Sequence, residues 1–90
     1  MHITVEISLY PLQEDYKTAI KDFIKTMKTE SDIIIKTTAM STYLSGPYDI
    51  VMACLTTHLQ PVFEVLPHSA TVIKIIPQNL QVEQGFIEIV

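Results

Sequence analysis

Between His2 and Tyr10 the chain alternates strictly, with Ile3, Val5, Ile7 and Leu9 on one side and Thr4, Glu6, Ser8 and Tyr10 on the other. A period of two is that of a strand with one face buried. Pro11 ends it, because proline has no N–H to give a sheet ladder. The period then changes at once. Tyr16, Ala19, Ile20, Phe23, Ile24 and Met27 recur as one helical stripe, Lys17, Lys21, Lys25 and Lys28 lie opposite, and Glu14 and Asp15 precede them as an acidic first turn. A one-sided strand followed directly by a one-sided helix has to bring the two apolar surfaces together.

The same pair of signals recurs further along. Ile33 to Thr38 is β-branched apart from Lys36 and predicts a second strand, and Thr42 to Ser45 a third, joined by a short reversal at 39–41. Gly46-Pro47 is a helix start, with Pro47 expected at the first helical position. Tyr48, Val51, Met52, Leu55 and Leu59 give a second amphipathic helix, which Pro61 is expected to kink or restart. Ala70 to Ile76 is a fourth strand, closed by Pro77. The order strand, helix, strand, strand, helix, strand predicts an α+β, ferredoxin-like β-α-β-β-α-β sandwich over residues 1–77: a four-stranded antiparallel sheet with two helices on one face.

Ile3, Val5, Ile7, Leu9, Ile33 and Ile35 would then face the helices. Tyr10, Ile34, Val72 and Ile76 would fall on the open face among Thr and Ser, an apolar surface suited to a second copy of the chain, as dimer or tetramer. Residues 78–90 carry Leu80, Val82, Phe86, Ile87, Ile89 and Val90 and predict an extra strand on a sheet edge, or an oligomer contact.

Charge narrows the partners. Six lysines, no arginine and ten acids leave a net charge of -4, so nucleic acid would be repelled. No apolar run approaches the roughly 20 residues of a membrane span, and the opening residues form no charged leader. With a single Cys54, these features predict a soluble cytoplasmic protein.

Few groups suggest catalysis. Cys54 and His58, four apart on the second predicted helix, are the one paired set of metal-type ligands, and two ligands do not complete a site. Nor does the sequence supply a third residue to orient them as nucleophile and base. Glu14, Asp15, Asp22, Glu30 and Asp32 fall on helix surfaces or in turns, where solvated charge is the ordinary state. Glu6 sits mid-strand on the open face, set against Lys36 or Lys74, or else compensating a bound cation. Gly46 and Gly85 are the only glycines, so no glycine-rich phosphate loop exists. What remains is the 37–49 stretch, where Thr37, Thr38, Ser41, Thr42 and Ser45 can each donate and accept a hydrogen bond, as the edge of a flat aminated heterocycle requires. Met40 and Tyr10 would press on the faces of such a ring. Strand propensity and helix capping account for the same residues without a ligand.

The segments ISLYPLQEDYKTAIKDFIKTM and TTAMSTYLSGPYDIVMACL resemble the YkoF-like thiamine-binding family, with its Tyr-Pro-Leu turn after the first strand and its Met-Ser-Thr followed by Gly and an acidic helix start. The similarity spans about residues 5–60. It implies a ferredoxin-like domain that binds thiamine or its hydroxymethylpyrimidine half, needs no further cofactor and assembles through its sheet. Tyr10, Pro11 and Leu12 would form one wall of the pocket, and Thr38, Met40, Ser41 and Thr42 the other. Gly46 would permit the close turn, and Asp49 would cap the second helix or face the ligand. The close, KIIPQNLQVEQGFIEIV, departs from the family's longer and more charged ending. The expectation is therefore a non-catalytic carrier, store or sensor. Two rivals stand beside it: an oligomeric interaction module without a ligand, and a small enzyme on a ferredoxin-like dimer.

Overall fold

The computed structural model describes residues 1–38, 40–80 and 82. The elements follow the expected order: β1 (His2–Pro11), α1 (Lys17–Met27), β2 (Ile34–Thr37), β3 (Thr42–Pro47), α2 (Tyr48–Val65) and β4 (Ser69–Ile76). They form one antiparallel sheet ordered β2-β3-β1-β4. The chain is thus a ferredoxin-like α+β sandwich.

The alternation in β1 sets the register. Ile3, Val5 and Ile7 stand opposite Gly46, Leu44 and Thr42 of β3, while Val5 and Ile7 stand opposite Ile75 and Ile73 of β4. These residues share the face under the helices, with Ile35, which pairs with Leu44. Val5 and Leu44 are wholly buried and pack with Phe23 and Met27 of α1 and Val51, Cys54, Leu55 and Val62 of α2. Each side chain of that size taken from water contributes about 1.5–3 kcal/mol. Ile34, Val72 and Ile76 occupy the other face, as the period of two requires.

Three local expectations change. Glu14 and Asp15 do not begin a helix: α1 starts at Lys17, and Asp15 takes the left-handed φ of 59° in the preceding turn, a conformation that Asp tolerates better than most residues. Pro47 is the N-cap of α2 and not its first helical residue, with φ -60° and ψ 141°. Pro61 does not restart the helix. It lies inside the continuous span Tyr48–Val65 on an exposed side, with Thr57, whose carbonyl loses its partner, likewise exposed.

The open face is covered at one end. Thr4 and Ser45, neighbours in the β1–β3 register, are 3% and 1% exposed. The chain beyond β4 returns over them: the Thr4 hydroxyl donates to the Gln78 carbonyl at 2.7 Å and accepts the Leu80 N–H at 3.1 Å, and Val82 is buried. His2 Nε2 and Ser45 Oγ lie 2.6 Å apart in the same corner. The strand expected beyond this point falls on 81 and 83–90, outside the described residues.

Candidate functional site

The hydroxyl-rich stretch turns from β2 into β3, and Thr38 builds the turn. Its N–H and its hydroxyl both donate to the Ser41 carbonyl, at 2.8 and 3.1 Å, and its oxygen accepts the N–H groups of Met40 and Ser41, each at 3.2 Å. The Thr38 side chain is therefore committed to its own loop, the local bonding that makes Thr a turn residue.

Beneath this turn, between the sheet and α1, lies a hollow of about 140 Å³. Ile7, Ser8 and Leu9 of β1, Ile20, Phe23 and Ile24 of α1, and Thr37, Thr38, Met40, Ser41 and Thr42 line it. Thr37 and Thr42 are register partners on the helix-side face, with hydroxyl oxygens 3.4 Å apart. Thr42 is buried, at 6% exposure. The floor is hydrocarbon and aromatic, and the hydroxyls sit at one edge.

Strand alternation divides the expected site residues. Ser41 lines the hollow, but its Oγ donates to Glu6 Oε2 at 3.1 Å on the opposite face of the sheet. Met40 reaches the rim and is largely exposed. Tyr10 pairs with Ala70 on the open face, so it cannot stack on a ring held under α1. Leu12 lies beyond the end of β1, exposed, its N–H donating to the His68 carbonyl at 2.7 Å. Asp49 is in the first turn of α2, which follows Pro47, and Pro47 stands opposite His2 at the far end of β1 from Thr42. Of the eight expected contacts, Thr38, Met40, Ser41 and Thr42 surround the hollow and Tyr10, Pro11, Leu12 and Asp49 do not. Phe23, Ile20 and Ile24 join them from α1, where the apolar stripe had signalled only core.

Glu6 faces away from the hollow and pairs with Lys74, as one sequence expectation had it. Partial burial pushes its pKa up, but hydrogen bonds from Tyr43 and Ser41 and the Lys74 ammonium outweigh this and hold the carboxyl below its ordinary value. Gly46 serves a close approach rather than a turn: a Cβ there would meet the Asp32 carbonyl oxygen at 3.1 Å and Val51 Cγ2 at 3.4 Å.

A second hollow, about 320 Å³, opens between α1 and α2, with Asp15, Asp22, Phe23, His58 and Val62 in its walls. Behind it, Cys54 is buried. Burial, and secondarily the Glu30 carboxylate, push its thiol up to about 11, so at neutral pH it is no nucleophile.

A four-stranded sheet in this order, two helices on one face and a small hydroxyl-edged hollow under the β2–β3 turn define a ferredoxin-like domain with a ligand-sized recess. The chain belongs to the thiamine-binding protein family, whose model matches residues 5–81, and this ties it to a thiamine-related role. Solved structures share the fold. A candidate thiamine biosynthesis/salvage protein of Thermotoga maritima superposes with a TM-score of 0.77 at 15% identity, over 94% of this chain and 95% of that one. A protein of Streptococcus pneumoniae gives 0.74 at 20% identity over 94% and 97%, and a hypothetical protein of Methanocaldococcus jannaschii 0.73 at 21% over 93% and 91%. No curated protein matches the chain significantly. Among the described residues no helix is long and apolar enough to cross a membrane.

Proposed function

We propose that the protein is a non-catalytic binder of thiamine or its hydroxymethylpyrimidine half, held under the β2–β3 turn, and that it works in the cytoplasm as a homo-oligomer joined through the uncovered part of its open sheet face. The observation that carries this reading is Thr42: a buried hydroxyl, 6% exposed, at the edge of a hollow whose apolar walls include Ile7, Leu9, Ile20 and Phe23. A hydroxyl in that position can donate to a ring nitrogen or accept from the exocyclic amine of an aminopyrimidine. At about 140 Å³ the hollow matches one aromatic ring; an apolar cavity of about 150 Å³ takes benzene. The thiazolium half would extend outward past Met40. With no arginine in the chain, phosphorylated forms have no bidentate partner.

Isothermal calorimetry of the full chain with thiamine, and separately with hydroxymethylpyrimidine, tests the reading. Saturable heat at one ligand per chain from either is expected. Absence of heat and of any thermal shift from both at millimolar ligand overturns it.

A further inference from the structure

Where the chain leaving α1 meets α2, a thiol, an imidazole and a carboxylate converge. Cys54 and His58 are one turn apart on α2 and so share a face. Glu30 follows α1, where its N–H donates to the Met27 carbonyl at 3.0 Å and folds the chain back towards α2. One ligand atom from each of Glu30, Cys54 and His58 lies within 4.8 Å of the others, and His58 Nε2 is 3.0 Å from Glu30 Oε1. We propose that these three side chains form a zinc(II) site that ties the end of α1 to the middle of α2, apart from the hollow under the β2–β3 turn.

Three observations carry it. The first is spacing: zinc bonds of about 2.0–2.3 Å in a tetrahedron put donor atoms roughly 3.3–3.6 Å apart. Donors already within 4.8 Å, one pair at 3.0 Å, reach this by small side-chain rotations. The second is chemistry. Magnesium and calcium need shells of oxygen, whereas one sulfur, one nitrogen and one oxygen suit zinc. The third is access. Cys54 is 4% exposed, but the His58 and Glu30 side chains are 12% and 36% exposed, and His58 stands in the wall of the interhelical groove with Asp15 and Asp22. A cation can enter there, and a water can complete a fourth position. Binding displaces the Cys54 thiol proton to solvent, takes the neutral His58 ring as the tautomer protonated at Nδ1 so that the Nε2 lone pair is free for the metal, and replaces the His58–Glu30 hydrogen bond with two metal bonds.

The test is titration of the full chain, stripped by chelator, with cobalt(II) and then zinc(II). Expected are one equivalent of cobalt with a sulfur-to-cobalt charge-transfer band, its displacement by zinc, and a rise in melting temperature with zinc. Cys54→Ala should remove the band, and Glu30→Gln should keep it while weakening zinc binding on the order of tenfold or more. His58→Gln, at a partly exposed position, replaces Cys54→Ala should the latter not fold, and it too should weaken zinc binding on the order of tenfold or more. No sulfur band at excess cobalt, or equal zinc affinity in wild type and His58→Gln, overturns the proposal. Thiamine calorimetry is independent of both results.

Discussion

Glu6 and Lys74 stand opposite one another across the β1–β4 pairing, the ammonium 3.4 Å from a carboxylate oxygen, while Ser41 from β3's side donates to the other oxygen at 3.1 Å. One carboxylate thus links three neighbouring parts of the sheet. Its native pKa lies below the ordinary value, so the folded protein keeps it ionised where the unfolded chain takes up a proton. The resulting stability is present above the ordinary carboxylate pKa and is lost as pH falls through the lowered native value. Urea midpoints followed through the acid range should fall less steeply for Glu6→Gln than for wild type. At pH 7 the substitution should cost about 0.5–1.5 kcal/mol, the range of a partly exposed, hydrogen-bonded ion pair.

Gly46 lies against the backbone that leads into β2. A methyl group there meets the Asp32 carbonyl oxygen at 3.1 Å, and a carbonyl in the main chain cannot swing aside as a side chain can. Gly46→Ala should lower stability by about 1–3 kcal/mol, the cost of overpacking, in chemical denaturation at an unchanged m-value.

The fold was legible because each element advertises its own period and each period matches its burial: the alternation of β1 placed Ile3, Val5 and Ile7 under the helices without further information. The site was legible only in part. The stretch holding the hydroxyls was apparent, but consecutive strand residues point to opposite faces. Ser41, just ahead of β3, reaches the rim of the hollow but lends its hydroxyl to Glu6, while Thr42 keeps its hydroxyl on the helix-side face. The same rule puts Tyr10 on the face opposite Ile7. Glu30 and His58, 28 positions apart, show no local signal of their meeting, because only the packing of α1 on α2 brings them together.

Thr42 separates ligand recognition from folding. Thr42→Val keeps shape and removes the hydroxyl, leaving a ring nitrogen or amine buried without a partner at a cost of about 1–3 kcal/mol. Thiamine affinity measured by calorimetry should fall roughly tenfold or more on that scale. Ser45→Ala, on the opposite face beside His2, should leave ligand affinity unchanged while lowering stability by the loss of one part-buried hydrogen bond. Unchanged binding in Thr42→Val with saturable heat retained would move the ligand elsewhere on the molecule, the interhelical groove being the larger space.

Tyr10 makes the converse separation. It is 53% exposed on the open face, in register with Ala70 and one pleat from Val72, which is 47% exposed, at the end of the sheet that Gln78 and Leu80 do not cover. An aromatic ring and a β-branched side chain standing together in water would serve the proposed homo-oligomer, since a two-fold axis through that end would bring Tyr10 and Val72 of two copies into one apolar patch. Tyr10→Ala should therefore raise the dimer dissociation constant, read by light scattering across a concentration series, on the order of tenfold, since buried aromatic anchors dominate such contacts. Thiamine heat per chain should stay the same, because the ring lies on the far side of the sheet from Thr42. If Tyr10→Ala instead loses ligand and keeps its assembly, the tyrosine belongs to the pocket of a partner chain, and the recess under the β2–β3 turn is completed between two copies.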